Sequence, residues 1–351
     1  MKFRKVNILP LAILISILLF SGCSKKQAAT SASADQGVTG KIMIYTSMYE
    51  DIIEAVEKVL EKKFPNCNIE FFYGGTGTLQ AKIAAEQASG KLGCDMLMVA
   101  EPAYSLELKE YNMLYPYKSP EASSLAFDYD ADGYWYPVRI SNMTLAYNPE
   151  KYSKDSIPNS MYDFAFDTSV KGAISMSNPL TSGTAMASVV ALRDKYGYEY
   201  FDALGRQGVM IESGGVALTK LETGECKVIM ILEESVLKKR EEEGSKLEVI
   251  YPTDGTILVP STIMTINDQW NANQNTKAAE AITDFFLGPE GQSAIVAGWM
   301  HSVRTNFPIL PYDAIPTTEI RANSMDVNWE NVFRQREETR TKFEEYVTGR
   351  K

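Results

Sequence analysis

The stretch from Phe71 to Lys82 limits what can surround it more than any other part of the chain. Upstream, Asn68 to Phe72 is aromatic and partly alternating, the pattern of a strand. Downstream, Leu79, Ile83, Ala84 and Ala88 keep a helical spacing up to Gly90, a suitable C-terminal stop. Between the two, Gly74 to Thr78 holds three glycines and two threonines. A glycine-rich turn from strand to helix leaves backbone N–H groups uncovered at the positive end of the helix dipole, a ready place for an anion. The same residues also read as a tight turn with a threonine N-cap. What decides between the two is whether the rest of the chain supplies partners.

Lys41 to Thr46 reads as a first strand, running through Ser47 into a helix with Ile52, Ile53, Val56, Val59 and Leu60 on one face. Gly93 to Val99 is a nearly continuous apolar strand, suited to the middle of a parallel sheet, and a short helix follows from Ala103 to Tyr111. Strand, helix, strand, helix, strand is a βαβαβ unit with right-handed crossovers. Ligands in such sheets sit beyond the carboxyl ends of the strands, here Thr46-Ser47, Gly74 to Thr78 and Ala100-Glu101. After an aromatic, loop-like stretch over 115–136, Pro137 to Asn148 reads as an extended segment leaving this first lobe.

A second α/β pattern then begins. Gly172 to Ser177 is a strand, Asn178 to Thr184 a small polar turn, and Met186, Val189, Val190 and Leu192 mark a helix. Ser213-Gly214-Gly215 opens another helix, Lys227 to Leu232 is a strand ending at Glu233-Glu234, and Leu247 to Tyr251 is a further strand. Ile257 to Ile266 is a long apolar extended segment placed to cross back. Helices are expected at Thr276–Phe286, Pro289–Gly298 and Trp329–Val347, the last with Glu338 and Lys342 spaced for an i,i+4 pair.

The N-terminus is a separate matter. Lys2, Arg4 and Lys5 precede an apolar run from Ile8 to Phe20 that ends at Ser21-Gly22-Cys23, the layout of a secretory signal. Small residues before Cys23 resemble a bacterial lipobox, with Phe20 where leucine is usual; that resemblance implies cleavage after residue 22 and lipidation of Cys23. Residues 23–37 are rich in Ser, Ala and Gln and read as a flexible tether. Removing the first 22 residues takes away three basic groups and no acidic ones, moving the net charge from −10 to −13. So acidic a surface excludes nucleic acid as a partner. It does not exclude a small anion, which a local nest of N–H groups can hold. Cys67, Cys94 and Cys226 lack zinc-ligand spacing, and a strand is expected between those carrying Cys67 and Cys94, so no bridge is expected there.

Two strand–turn–helix sites now face the same question, Gly75-Thr76-Gly77-Thr78 in one lobe and Ser182-Gly183-Thr184 in the other. If the lobes face each other, several N–H and hydroxyl donors converge, each charge-assisted bond worth roughly 1.5–3 kcal/mol. In order and spacing the chain resembles the extracellular solute-binding proteins of bacterial ATP-driven importers, in the branch of ferric-ion, phosphonate and sugar-phosphate binders. The marks are Ile44 to Ser47, Gly75 to Thr78 followed by Ala81-Lys82-Ile83, Asn178-Pro179 through Ser182 to Ala185, Gly214-Gly215, Gly224-Glu225, Tyr251 to Thr256, and Phe285 to Gln292.

The resemblance implies an α/β, two-lobed type II periplasmic-binding-protein fold with a ligand cleft between lobes, and no catalysis. Lobe 1 is expected over 38–139 with 264–351 and lobe 2 over 140–263. It implies a monomer, exported and lipid-anchored in the cell envelope, that delivers a small anionic solute to an ABC permease. No cofactor and no metal is expected. Sugar-phosphate and phosphonate binders of this branch place anion-binding groups where Thr46, Ser47, Gly75, Thr76, Gly77, Thr78, Ser141, Ser182, Gly183 and Thr184 stand, and carboxylates for hydroxyl or amine groups where Glu233 and Glu234 stand. Glu233 and Glu234 also read as an ordinary helix start. Ferric binders of the branch present two adjacent tyrosines after the corresponding strand; Leu232-Glu233-Glu234-Ser235 has none. Ferric iron is thus the first alternative, and a secreted hydrolase of phospho-esters a second, which lacks a nucleophile–base pair. His301, the one histidine, is expected to be structural, and Arg139 and Arg304 are spare cations.

Overall fold

The computed structural model describes residues 34–349. The signal segment, Cys23 and the tether as far as residue 33 lie outside the described residues. The first βαβαβ unit is present: β1 (Gly40–Thr46), α1 (Glu50–Lys63), β2 (Cys67–Tyr73), α2 (Thr76–Ala88), β3 (Met96–Ala100) and α3 (Ala103–Glu110). β1 pairs in parallel with β2 on one side and β3 on the other. All five residues of β3 are buried, as a central strand of a covered sheet requires. α1 forms because Ile52, Ile53, Val56 and Leu60 fall on one face and bury it against the sheet, while Glu50 and Asp51 suit its first turn.

A short β4 (Leu114–Tyr115) precedes β5 (Tyr136–Tyr147), α4 (Met161–Phe166), β6 (Ile174–Ser177), α5 (Gly183–Tyr196), α6 (Glu199–Gln207), β7 (Met210–Glu212), α7 (Gly214–Thr223), β8 (Val228–Leu232), α8 (Glu233–Glu243) and β9 (Glu248–Ile250). The chain returns through β10 (Ile257–Ile266) to α9 (Thr276–Leu287), α10 (Pro289–Ala297), α11 (Thr317–Ala322), α12 (Trp329–Arg334) and α13 (Arg336–Phe343). The sheet runs β2-β1-β3-β10-β5-β8-β6-β7, with β4 on β10 and β9 on β5. β5 and β10 are the two long extended segments expected to cross between lobes. They are antiparallel neighbours, and every residue of both is buried.

Two main apolar cores flank this crossing. One gathers Ile42, Ile44, Val56, Met98, Ile282 and Phe286 around the first unit. The other gathers Phe164, Val189, Val190, Phe201, Leu204 and Met230 around the second. This is the mixed α/β, two-lobed type II architecture. β1 lies between β2, which carries Cys67, and β3, and Cys67, Cys94 and Cys226 are free thiols. Among the described residues no helix is long and apolar enough to cross a membrane.

The C-terminal end departs from expectation. The single helix foreseen over 329–347 breaks at Gln335, whose φ of −110° leaves the helical region. Glu338 accepts a hydrogen bond from the Tyr198 hydroxyl at 2.8 Å, and Lys342 pairs with Glu345 at 2.9 Å. An i,i+4 pair is worth only a few tenths of a kcal/mol, so a tertiary partner for Glu338 and a nearer i,i+3 partner for Lys342 override it. Val332 and Phe343 are buried in the second lobe's core, Phe343 edge-on to Phe201 at 5.4 Å. Between them Arg336 turns back to the first lobe and binds Glu101 at 2.9 Å and Glu107 at 2.6 Å. The end of the chain therefore straps the lobes together.

Candidate solute site

Where the strands of both lobes end, a cavity of about 330 Å³ opens between them. It sits at the small end of the usual range for small-molecule sites, about 300–1,000 Å³. The first α/β unit contributes Ser47, Gly75, Thr76, Thr78 and Ala100, the second Ser182, Gly183, Thr184 and Glu234, and the crossing strand β5 contributes Arg139 and Ser141. Tyr49, Tyr73, Ser177, Asn178, Glu212 and Ser213 add to the polar wall.

Several helices start here. α5 begins at Gly183 with Ser182 as N-cap, its hydroxyl accepting from the Ala185 amide at 3.3 Å. Ser182 and Thr184 also share a hydrogen bond at 3.0 Å. α7 repeats the device: Ser213 caps it from the Val216 amide, leaving Gly214 in the first turn on the cavity wall. The first-turn amides of such helices have no acceptor within the helix and favour an anion. α2 starts at Thr76, earlier than the apolar spacing implied, with Gly75 as N-cap and no side-chain cap. Its Gly77 amide donates instead to the Thr181 carbonyl of lobe 2, at 3.2 Å.

The buried charges that face the cavity are one cation and one carboxylate; Glu212, half-buried and paired with Lys220 at 2.8 Å, lines it as well. Arg139, on β5, has Nη1 against the Met300 sulfur at 2.9 Å, and its Nε has no partner. Burial lowers its affinity for a proton, while Glu234 and Tyr49 oppose that. Glu234 has an unpartnered Oε1. Burial pushes its carboxyl upward, against Ser141, its own backbone amide and Arg139. Unpaired buried polar atoms cost about 1–3 kcal/mol each, which a complementary ligand recovers.

The expected residues thus divide. Ser47, Gly75, Thr76, Thr78, Ser141, Ser182, Gly183, Thr184 and Glu234 line one cavity. Thr46, Gly77 and Glu233 do not. The Thr46 hydroxyl is buried and accepts from the Met48 amide, fixing the turn that presents Ser47. Gly77 faces a neighbouring cavity beneath Arg336 and is bonded across the cleft. Glu233 is buried behind the site, its oxygens bonded to Tyr251, Asn142 and His301. Arg304 is paired with Glu121 and lies elsewhere. Sequence reasoning missed Tyr49, Tyr73, Asn178 and Ser213 as wall residues. Ser213-Gly214 carried the readable signal, a third small polar residue and glycine opening a helix.

A sequence model of bacterial extracellular solute-binding proteins matches residues 53–307, well over half of the chain. The chain belongs to that family. It is an extracellular solute-binding protein and not an enzyme, so the phospho-ester hydrolase is set aside. No curated protein sequence matches it significantly. The fold of this solute-binding protein is similar to that of the periplasmic binding protein AfuA from Actinobacillus pleuropneumoniae, solved with exogenous fructose-6-phosphate bound. Identity is 23% and the TM-score 0.75, over 88% of this chain and 99% of that one. Iron-bound HitA from Pseudomonas aeruginosa is similar at 19% identity and TM-score 0.75, over 87% and 99%. The substrate binding protein of an ABC transporter from Agrobacterium tumefaciens is similar at 14% identity and TM-score 0.76, over 90% and 95%.

Proposed function

We propose that this protein captures a small organic phosphate or phosphonate by closure of its two lobes and hands it to a membrane permease. The observation that carries this reading is the Arg139 guanidinium, buried in the cavity with an unpartnered Nε and ringed by Ser47, Thr76, Ser141, Ser182 and Thr184. A buried cation among hydroxyls and helix N-termini is a site for a compact anion. Glu234, on the same wall, accepts from hydroxyl or ammonium groups on the rest of the solute. Fructose-6-phosphate bound to AfuA, a protein of the same fold, supports a sugar phosphate as one such solute.

Tyr49 and Tyr73 on the cavity wall favour a second reading, ferric iron, since phenolates suit Fe³⁺ and HitA holds iron. Burial raises both phenols, Tyr49 further through Glu234 and Tyr73 through Glu50, so neither is poised as a phenolate. Arg139 also repels a cation. Among the described residues no group of three or more His, Cys, Asp or Glu side chains is arranged to hold a metal.

Mass spectrometry and phosphorus analysis of solute released from protein purified from its native cell tests the proposal. A phosphorus-containing solute supports it, and iron without phosphorus overturns it. The anchor belongs to the same proposal: residues 1–22 are removed, Cys23 is lipidated, and the folded part works as a monomer tethered to the envelope. A Cys23→Ser protein released from the membrane fraction is the expected outcome.

A further inference from the structure

Glu233 and Glu234 are consecutive, and the first two residues of α8 point about 100° apart. Glu234 lines the cavity, whereas Glu233 is held by a network behind it. Its Oε1 accepts from the Tyr251 hydroxyl at 2.5 Å. Its Oε2 accepts from Asn142 Nδ2 at 2.8 Å and lies 3.0 Å from His301 Nε2. His301 Nδ1 is 3.0 Å from the Thr317 hydroxyl. Asn142 Oδ1 in turn accepts from the Thr256 hydroxyl, which also reaches the Met143 backbone carbonyl at 2.6 Å. Glu233, Asn142, Thr256 and His301 are all buried.

The members come from both sides of the hinge. Asn142 is on crossing strand β5, and Thr256 directly precedes crossing strand β10. Glu233 and Tyr251 belong to the second α/β unit. His301 and Thr317 follow α10, and His301 exchanges both backbone hydrogen bonds with Ile140 of β5. Along β5, Arg139 and Ser141 belong to the cavity while Ile140 and Asn142 belong to the layer behind it, the alternation of a strand. With Glu233 ionised, the consistent tautomer has His301 Nε2–H donating to Glu233 and Nδ1 accepting from Thr317.

We propose that Glu233 and His301 are positioning residues for the solute site, which hold the first turn of α8 and the middle of β5 so that Glu234 faces the solute. They touch no solute themselves. The pair fixes which of two adjacent carboxylates is buried in protein and which is offered to the ligand. This rests on the organophosphate reading for the ligand side of the test, though not for the structural side.

The test compares wild type, His301→Leu, His301→Gln and Glu233→Gln by calorimetry with two probes, fructose 6-phosphate and inorganic phosphate. His301→Leu is expected to weaken fructose 6-phosphate by about tenfold, with inorganic phosphate within about twofold, because only the former uses Glu234. His301→Gln, which can donate to Glu233 and accept from Thr317, restores the affinity for fructose 6-phosphate towards that of wild type. Equal weakening of both probes, or no rescue by Gln, overturns the proposal. Amide hydrogen exchange of ligand-free protein decides the case even if wild type binds neither probe, an outcome that would count against the organophosphate reading alone. Faster exchange confined to the start of α8 in His301→Leu and Glu233→Gln supports the assignment. Unchanged exchange there, or loosening spread over the whole fold, sinks it.

Discussion

The starts of α2 and α5 meet across the cleft, and they are finished in different ways. α5 is complete within its own lobe, because the Ser182 hydroxyl caps its first turn. α2 has a glycine N-cap that offers nothing, and its Gly77 amide finds an acceptor only in the Thr181 carbonyl of the other lobe. Both turns read alike in sequence, small polar residues and glycines between strand and helix. One is capped from within and needs no acceptor across the cleft. The other gains this bond only where the lobes touch, so it ties that contact to the very helix start that borders the cavity.

Substitution at the contact breaks this comparison most directly. A Cβ on Gly77 would lie 2.7 Å from the Leu180 carbonyl oxygen and 3.1 Å from Thr181 Cα. Gly77→Val is therefore expected to block closure and weaken solute binding by about 100-fold or more, roughly 2.7 kcal/mol. Calorimetry should show that loss, and small-angle scattering should show that added solute no longer compacts the protein. Wild-type affinity in this variant would mean that the lobes need not touch here.

Removing the two hydroxyls sharpens it. Ser182→Ala should lower thermal stability by about 1 kcal/mol through the lost cap, and solute affinity besides. Thr76 Oγ1 is buried without a partner, so Thr76→Ala should leave the ligand-free protein as stable as wild type or slightly more so, while affinity still falls. Thermal melts with and without solute separate the two effects. Equal destabilisation by both changes would erase the distinction between the two helix starts.

A smaller effect concerns Glu101, which follows β3 with φ of +71° and lines the neighbouring cavity. Burial pushes its carboxyl up to about 7, despite Arg336. A carboxyl raised on folding binds its proton more tightly in the native state. Its contribution to stability is fully present below the unfolded value and is lost as pH rises through about 7. Glu101→Gln should accordingly melt higher than wild type at pH 8, with the gap closing towards pH 5. A gap that widens on acidification would reverse the assignment.

How much of this the sequence carried can be read from particular residues. The βαβαβ unit and the crossing strands were legible, because apolar runs such as Met96 to Ala100 and Ile257 to Ile266 leave few other ways to be covered. The small polar helix starts were legible too, from Ser and Gly at fixed offsets. α6 was not foreseen, since its inward face of Tyr200, Phe201 and Leu204 follows closely on Gly197 in a stretch that lacks a long periodic pattern. Glu233 and Glu234 were indistinguishable, because adjacent residues at a helix start differ only in direction, and direction is set by what packs behind them. Arg139 stood out as a cation, but its burial was not legible, since it packs against residues such as Met300 far along the chain. Thr46 and Ser47 divide for a similar reason, one hydroxyl turning back to the Met48 amide and the other reaching the Ala100 amide beside the cavity.

The strap formed by α12 and α13 has unlike ends. Phe343 and Val332 fix it to one lobe by apolar burial, which added salt does not screen. Arg334 meets Glu110 at 2.6 Å with both side chains about half exposed, while Arg336 meets Glu101 in a far less accessible place. Ionic strength at 0.15 M, with a Debye length of about 8 Å, reaches the outer pair and largely spares the inner one. The tie between lobes thus has an outer part that responds to the salinity of the surrounding medium and an inner part that does not, so a protein working outside the cell keeps its grip on the hinge when the salt around it changes.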